Sequence, residues 1–156
     1  MLKFQKMTND EFEDYFDSTV NKYAQEKIKS GNWNKKTAIE RAKSEVNKLL
    51  PDGVETENNY LYSIYNNNKH LGYIWYKINN NEKGDIAFLY DIIIFKKYRK
   101  KGFGEKTMKL FERKVREAGC KKIQLHVFAH NKPAVSLYQK MNFKFTNYRM
   151  EKVLNS

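Results

Sequence analysis

Residue types suited to one kind of chemistry crowd between Ile86 and Gly104, IAFLYDIIIFKKYRKKGFG. The apolar run Ile92-Ile93-Ile94-Phe95 reads as a buried strand. A basic loop follows, Lys96-Lys97-Tyr98-Arg99-Lys100-Lys101, with five cationic side chains in six residues. Gly102-Phe103-Gly104 then opens an amphipathic helix. A strand, a glycine-bearing turn and a helix start together make an anion site. Unpaired N–H groups and the positive end of the helix dipole converge there, and glycine lets the backbone approach a phosphate closely. The stretch therefore predicts a turn that binds a phosphorylated ligand. One carboxylate, Asp91, stands inside the apolar strand, where an unpaired charge is costly to bury.

The surrounding elements must hold this turn. Phe4–Met7 reads as a short strand, and Thr8-Asn9-Asp10-Glu11 has the spacing of a capping box. Phe12, Phe16, Val20 and Tyr23 recur at helical spacing, giving a helix to about Lys29 that Ser30-Gly31-Asn32 breaks before Trp33. Ile39, Ala42, Val46 and Leu49 share one face of a second helix, closed by Pro51-Asp52-Gly53. From Tyr60 the period changes to that of strands. Tyr60–Tyr65 and Leu71–Ile78 flank an Asn-rich hairpin turn at 66–69, and a second turn at 79–85 leads to the strand at 86–95. Phe103, Met108, Phe111, Val115 and Ala118 mark a helix ending at Gly119, and Lys122–Phe128 reads as another buried strand. Strand, helix and strand imply a right-handed crossover and a parallel pair. Asn131-Lys132-Pro133 opens a last helix that Asn142 ends, and Phe143–Leu154 reads as a final strand. The expected fold class is α/β (α+β), in the order β-α-α-β-β-β-α-β-α-β.

At 156 residues, 40% hydrophobic and 15% aromatic, the chain is expected to form a single globular domain spanning residues 1–156. No apolar run reaches the roughly 18 residues of a membrane span, and the start of the chain lacks a signal peptide's apolar core. Cys120 is the only cysteine, so no internal disulfide forms and a cytoplasmic location is expected. The formal charge of +12 is unevenly spread: residues 1–60 hold ten Lys/Arg against eleven Asp/Glu, and residues 61–156 hold twenty against seven. Such a basic half suits phosphates of a cofactor or of nucleic acid, yet no helix-turn-helix, zinc-finger or RNA-binding signature accompanies it. His70, His126 and His130 show no ligand-pair spacing, so no metal is expected.

Two motifs and their separation resemble the GCN5-related N-acetyltransferase (GNAT) superfamily. Arg99-Lys100-Lys101-Gly102-Phe103-Gly104 resembles that family's [R/Q]-x-x-G-x-[G/A] loop, preceded by Ile92-Ile93-Ile94. The segment from Asn131 through Ala134, Leu137, Tyr138 and Met141 to Phe143 resembles its N-x-x-A-x-x-L-Y-x-x-x-G-F element. One helix and one strand lie between them, as the family requires. Asn142 stands where the family usually has Gly, and Asn also tolerates left-handed geometry. The likeness covers about residues 60–156 strongly and 1–59 by helix count alone.

The resemblance implies a mixed, mostly antiparallel sheet with a parallel, splayed β4/β5 pair. It implies acetyl-CoA as co-substrate, its pyrophosphate on the turn formed by Arg99, Lys100, Lys101, Gly102, Phe103, Gly104 and Glu105. Its pantetheine arm would lie along Ile92 and Ile94, with Asn131 nearby. Tyr138 matches the family's general acid toward the CoA sulfur; a phenol keeps its proton at neutral pH. The general base is open between His126, Asp91 and water. His126 falls where ribosomal-protein alanine acetyltransferases carry a Glu, and Asp91 resembles an acidic position of polyamine acetyltransferases. Asp91 either faces the acceptor or pairs with a cation. Tyr15, Tyr23 and Trp33, with Tyr73 or Trp75, are candidates for an aromatic wall around a cationic amine. The implied activity is acetyl transfer in a ternary complex to a primary amine of a small molecule or peptide; the alternative is a CoA-binding regulatory module without turnover. No membrane partner is implied, nucleic acid is disfavoured, and a homodimer is compatible.

Overall fold

The computed structural model describes residues 1–155. Its elements run β1 (Leu2–Lys6), α1 (Asn9–Lys29), α2 (Ala38–Leu49), β2 (Asn59–Asn66), β3 (Lys69–Asn79), β4 (Asp85–Ile94), α3 (Phe103–Glu117), β5 (Cys120–Leu125) and α4 (Lys132–Lys140). The sheet order is β1-β2-β3-β4-β5: the first four strands pair antiparallel in sequence, and β5 lies parallel to β4. The mixed sheet and its parallel pair are as the sequence implied.

Local signals set most boundaries. Thr8 accepts from the Glu11 N–H at 3.1 Å while the Glu11 carboxylate accepts from the Thr8 N–H at 2.9 Å, so the capping box forms. Asn67 turns the β2–β3 hairpin at φ 58°, and Asn142 ends the last helix at φ 69°. Alternation along the strands divides the core between two faces. Tyr15, Val20, Ala24, Trp33, Ala42, Val46, Leu61, Tyr73 and Trp75 fill the face under α1 and α2. Ile64, Leu71, Ile74, Tyr76, Ala87, Leu89, Met108 and Phe111 fill the face under α3, with Leu137 and Tyr138 of α4 packed against them.

Two expectations need correction. β5 stops at Leu125 rather than Phe128, because its partner β4 pairs with it only as far as Leu89↔Leu125. No strand forms over Phe143–Leu154: the segment has strand-like alternation but no paired neighbour, and most of it is exposed. A strand needs a partner for its N–H and C=O groups, and propensity supplies none.

Candidate active site in the β4/β5 gap

β4 runs five residues beyond its last pair with β5, from Tyr90 to Ile94. A bulge helps open the gap: Trp75 pairs with Asp91 and Tyr76 with Leu89, leaving Tyr90 extra, stacked on Trp75 at 4.3 Å between centroids. The peptide groups of a strand turn to alternate edges. Phe95 N–H donates to the Leu71 carbonyl on β3 at 2.8 Å, and the Ile93 carbonyl lies against Gly72. Phe95, Ile93 and Asp91 thus turn toward β3, and Ile92 and Ile94 turn their backbone groups into the gap. The Arg99 Nε–H fills one of these, donating to the Ile94 carbonyl at 2.8 Å. The side chains of Ile92 and Ile94 meanwhile pack into the α3-side core.

The basic loop then delivers the start of α3. Gly102, at φ 82°, is the N-cap and offers no side chain to cap the helix. Lys100 is also left-handed, at φ 62°. The first bond into the helix comes from the Lys106 N–H to the Gly102 carbonyl at 3.1 Å. The N–H groups of Gly102, Phe103, Gly104 and Glu105 therefore have no intrahelical acceptor. Lys100 and Lys101 are exposed beside them. The Glu105 side chain turns toward α4 and pairs with Lys140 at 2.9 Å and Lys109 at 3.5 Å. The Lys140 hydrogen bond leads in holding its carboxyl below the usual range.

α4 lies against this helix start. Leu137 Cδ2 sits 3.5 Å from where a Cβ on Gly104 would be. Asn131 caps α4, its side chain accepting from the Ala134 N–H at 3.3 Å, so its amide oxygen is already engaged. Tyr138 packs against the α3-side core and edge-on to Phe143, centroids 5.6 Å apart. Burial pushes the Tyr138 phenol up to about 12, and the negative charges of Asp91 and Glu26 add to the effect. Its hydroxyl thus keeps its proton throughout the neutral range.

α1 closes the opposite side through a polar ladder. Tyr15, Thr19 and Lys22, at helical spacing, all reach Asp91: the Tyr15 hydroxyl donates at 3.1 Å, the Thr19 hydroxyl at 3.4 Å, and the Lys22 ammonium pairs at 3.1 Å. The Asp91 side chain is 12% exposed. Of the two settings expected for it, the structure has the cation-paired one. A cavity of about 300 Å³ lies next to this ladder, between α1 and the start of α4, lined by Lys22, Gln25, Glu26, Lys29, His130, Asn131 and Pro133. A larger depression of about 480 Å³ sits on the outer face of α2, on Glu40, Lys43, Ser44, Asn47 and Lys48, away from every candidate residue.

His126 follows directly after β5 and is exposed, its ring edge-on to Phe128 at 4.9 Å. The aromatic wall is not free. Trp33 is 8% exposed, edge-on to Tyr23, with Lys27 at 5.4 Å and Arg41 at 4.6 Å from its ring centroid. Tyr23 donates to Glu45 at 2.8 Å. Tyr15, Tyr73 and Trp75 are buried, and the Trp75 N–H donates to Asn59 at 2.9 Å. These aromatics read as α1-side core whose exposed faces are covered by the chain's own cations. Glu26 and Lys22 are the residues the sequence reading missed; the polar stripe at 22, 26 and 29 on α1 was the available signal. No group of three or more His, Cys, Asp or Glu suited to a metal occurs among the described residues.

A family profile described as acetyltransferase (GNAT) family matches residues 7–143. The chain belongs to that family. The GNAT chain is 34% identical over 151 residues to YdgE, an uncharacterised N-acetyltransferase of Bacillus subtilis, covering 96% of each. It is 35% identical over 149 residues to YycN of the same organism, covering 95% of this chain and 96% of the relative. The crystal structure of YycN, a putative acetyltransferase, overlays at a TM-score of 0.96 with all of both chains covered and 33% identity. The GNAT fold and membership carry a general acetyl-CoA-dependent acetyltransferase activity, and the gap with its open peptide edge and the uncapped α3 start fit a pantetheine arm and its pyrophosphate.

Proposed function

We propose that the protein is an N-acetyltransferase that moves the acetyl group of acetyl-CoA directly to a primary amine of a small molecule or peptide. The observation that carries this reading is the convergence of the β4 edge at Ile92 and Ile94, the α3 N-terminus at Gly102–Glu105 and the protonated Tyr138 on one gap. Backbone donors and the screened charges of Lys96, Lys97, Lys100 and Lys101 bind and orient the CoA phosphates. The neutral amine attacks the thioester carbonyl, the C–N bond forms, and the C–S bond breaks. The departing sulfur takes the Tyr138 hydroxyl proton, and a base takes the proton released by the amine. Asp91 is a poor base in this reading, since its lone pairs are engaged by Tyr15, Thr19 and Lys22. His126, exposed after β5, is the candidate that remains beside water. Direct transfer is supported by Cys120, the only cysteine, which lies buried at the far end of β5 with its thiol pushed up by burial and by Asp85.

Thiol release from acetyl-CoA across amine classes tests the proposal: polyamines, aminoglycosides, amino acids, peptide N-termini. Turnover with at least one class, reduced about 100-fold or more in Tyr138→Phe with acetyl-CoA binding retained, is the expected result. Binding of acetyl-CoA without turnover by any class would instead make the chain a CoA-responsive module, and turnover only with longer acyl chains would replace the acetyl assignment.

A further inference from the structure

We propose that the cavity between α1 and the start of α4 binds a ligand of two opposite charges, an ammonium held by Glu26 and a carboxylate held by Lys29 and the donors beside it. Its role as the acceptor rests on the transferase reading, whose amine it narrows to that of an amino acid. The cavity, of about 300 Å³, touches both sides of the β4/β5 gap. Lys22 in its wall pairs with Asp91 on β4 at 3.1 Å, one residue before Ile92. Asn131 in its wall caps α4, the helix that carries Tyr138 two turns further on. Glu26 is half-buried and stands one turn beyond Lys22 on the same face of α1. Its charge is felt on both sides: after burial and Asp91 it adds to the upward push on the Tyr138 phenol, and after burial and Glu45 it does the same to Tyr23.

Glu26 has two lysines within reach along its helix, Lys22 four residues before it and Lys29 three after. It pairs with neither: Lys22 turns to Asp91, and no ion pair to Glu26 or Lys29 occurs among the described residues. The neighbouring carboxylates are taken. Asp91 is engaged by Tyr15, Thr19 and Lys22, and Glu45 accepts from Tyr23. Glu26 is therefore the carboxylate left on the cavity wall for an ammonium. The aromatic surface does not compete for that ammonium, because Tyr23, Trp33 and Phe128 already surround Lys27, whose Nζ lies 5.4 to 5.9 Å from their centroids. The rest of the lining is cationic or donating. Lys29 and His130 are exposed to it. Asn131 has its amide oxygen held by the Ala134 N–H at 3.3 Å, so the amide NH2 is the group it offers. A free anion and a free cation one helical turn apart, with Cβ atoms about 5–6 Å from each other, match a ligand whose charges are a few bonds apart. A second ammonium on the ligand would meet Lys29 instead, and that like-charge contact rejects polyamines. The ammonium is recognised first and deprotonated before attack, so the carboxylate that binds it and the base are separate roles.

Matched ligands test the two charges one at a time: the standard amino acids, their carboxamides, and the diamines in which an aminomethyl group replaces the carboxylate. Thiol release from acetyl-CoA gives kcat/KM, and calorimetry on the CoA-bound protein gives affinity without turnover. Both should be at least about tenfold higher for an amino acid than for its carboxamide, and lowest for the diamine. Glu26→Gln should raise the KM for the amino acid about tenfold or more while the KM for acetyl-CoA stays unchanged. Lys29→Glu should invert the preference, taking the diamine over the amino acid; damage to the fold would weaken both ligands together and invert nothing. Binding with this preference but without acetylation would uphold the two-charge site and refute the transferase reading. A carboxamide or diamine that binds as well as its amino acid, no amino acid bound at millimolar concentration, or a preference unmoved by Lys29→Glu would each overturn the proposal.

Discussion

Asp91→Ala and Asp91→Asn separate an anchor from a base. In the structure one carboxylate holds three groups of α1 to β4, and the three are worth different amounts. Tyr15 is 1% exposed, and its hydroxyl would lose its partner in a dry site, which costs about 1–3 kcal/mol. Thr19 at 3.4 Å is a weak bond, worth about 0.5 kcal/mol. Lys22 is 42% exposed and returns to water, so its pair contributes about 0–1 kcal/mol. Asp91→Ala should therefore lower stability by about 2–4 kcal/mol. Asp91→Asn keeps the shape and one accepting oxygen, and should lose only about 1 kcal/mol.

Urea unfolding of a double-mutant cycle checks the attribution. Tyr15→Phe removes the orphaned hydroxyl, so Tyr15→Phe/Asp91→Ala should be no less stable than Asp91→Ala alone. Initial rates with a responsive amine check the chemistry. An anchor predicts that Asp91→Asn keeps kcat within about tenfold, with any loss tracking stability. A kcat loss of 100-fold or more in Asp91→Asn, at unchanged stability, would refute the anchor and restore Asp91 as the base.

Three further outcomes follow from the same geometry. Gly102→Ala has open space around its Cβ but must hold φ 82°, so it should cost about 1–2 kcal/mol and raise the KM for acetyl-CoA; Gly104→Ala meets only Leu137 at 3.5 Å and should be nearly silent in both readouts. If the exposed Lys96, Lys97, Lys100 and Lys101 attract the cofactor's phosphates through solvent, as the proposed function has it, the KM for acetyl-CoA should rise with ionic strength; a flat salt profile would shift the affinity to the backbone donors alone. Burial raises eight tyrosines, Tyr15, Tyr23, Tyr62, Tyr65, Tyr73, Tyr76, Tyr90 and Tyr138, above the ordinary phenol value. Above pH 10 the unfolded chain releases protons that the folded chain keeps, so stability falls there, by up to about 1.4 kcal/mol per pH unit for each tyrosine. Alkaline unfolding should be steep and coincide with tyrosinate absorbance, while kcat shows no loss from Tyr138 ionisation below pH 10.

The parts of this molecule that were legible in the sequence are those whose cause is local. The capping box at Thr8 and Glu11, the left-handed Asn67 and Asn142, and the glycine that starts α3 each act within a few residues, and each sits where the sequence put it. The parallel strand pair followed from a chirality rule that needs only the order of elements. Features set by distant partners were not legible. Asp91 had two readings because its cation, Lys22, lies 69 residues away. Trp33 and Tyr23 looked available for a ligand because Arg41, arriving from α2, carries no sign in the sequence that it covers the indole. The end of β5 was overrun by three residues for the same reason: Val127 and Phe128 continue the apolar pattern, but the bulge at Tyr90 has already opened the gap across from them. Phe143–Leu154 is the limiting case. Its alternation reads as a strand, but no strand of the sheet pairs with it, so the segment stays irregular.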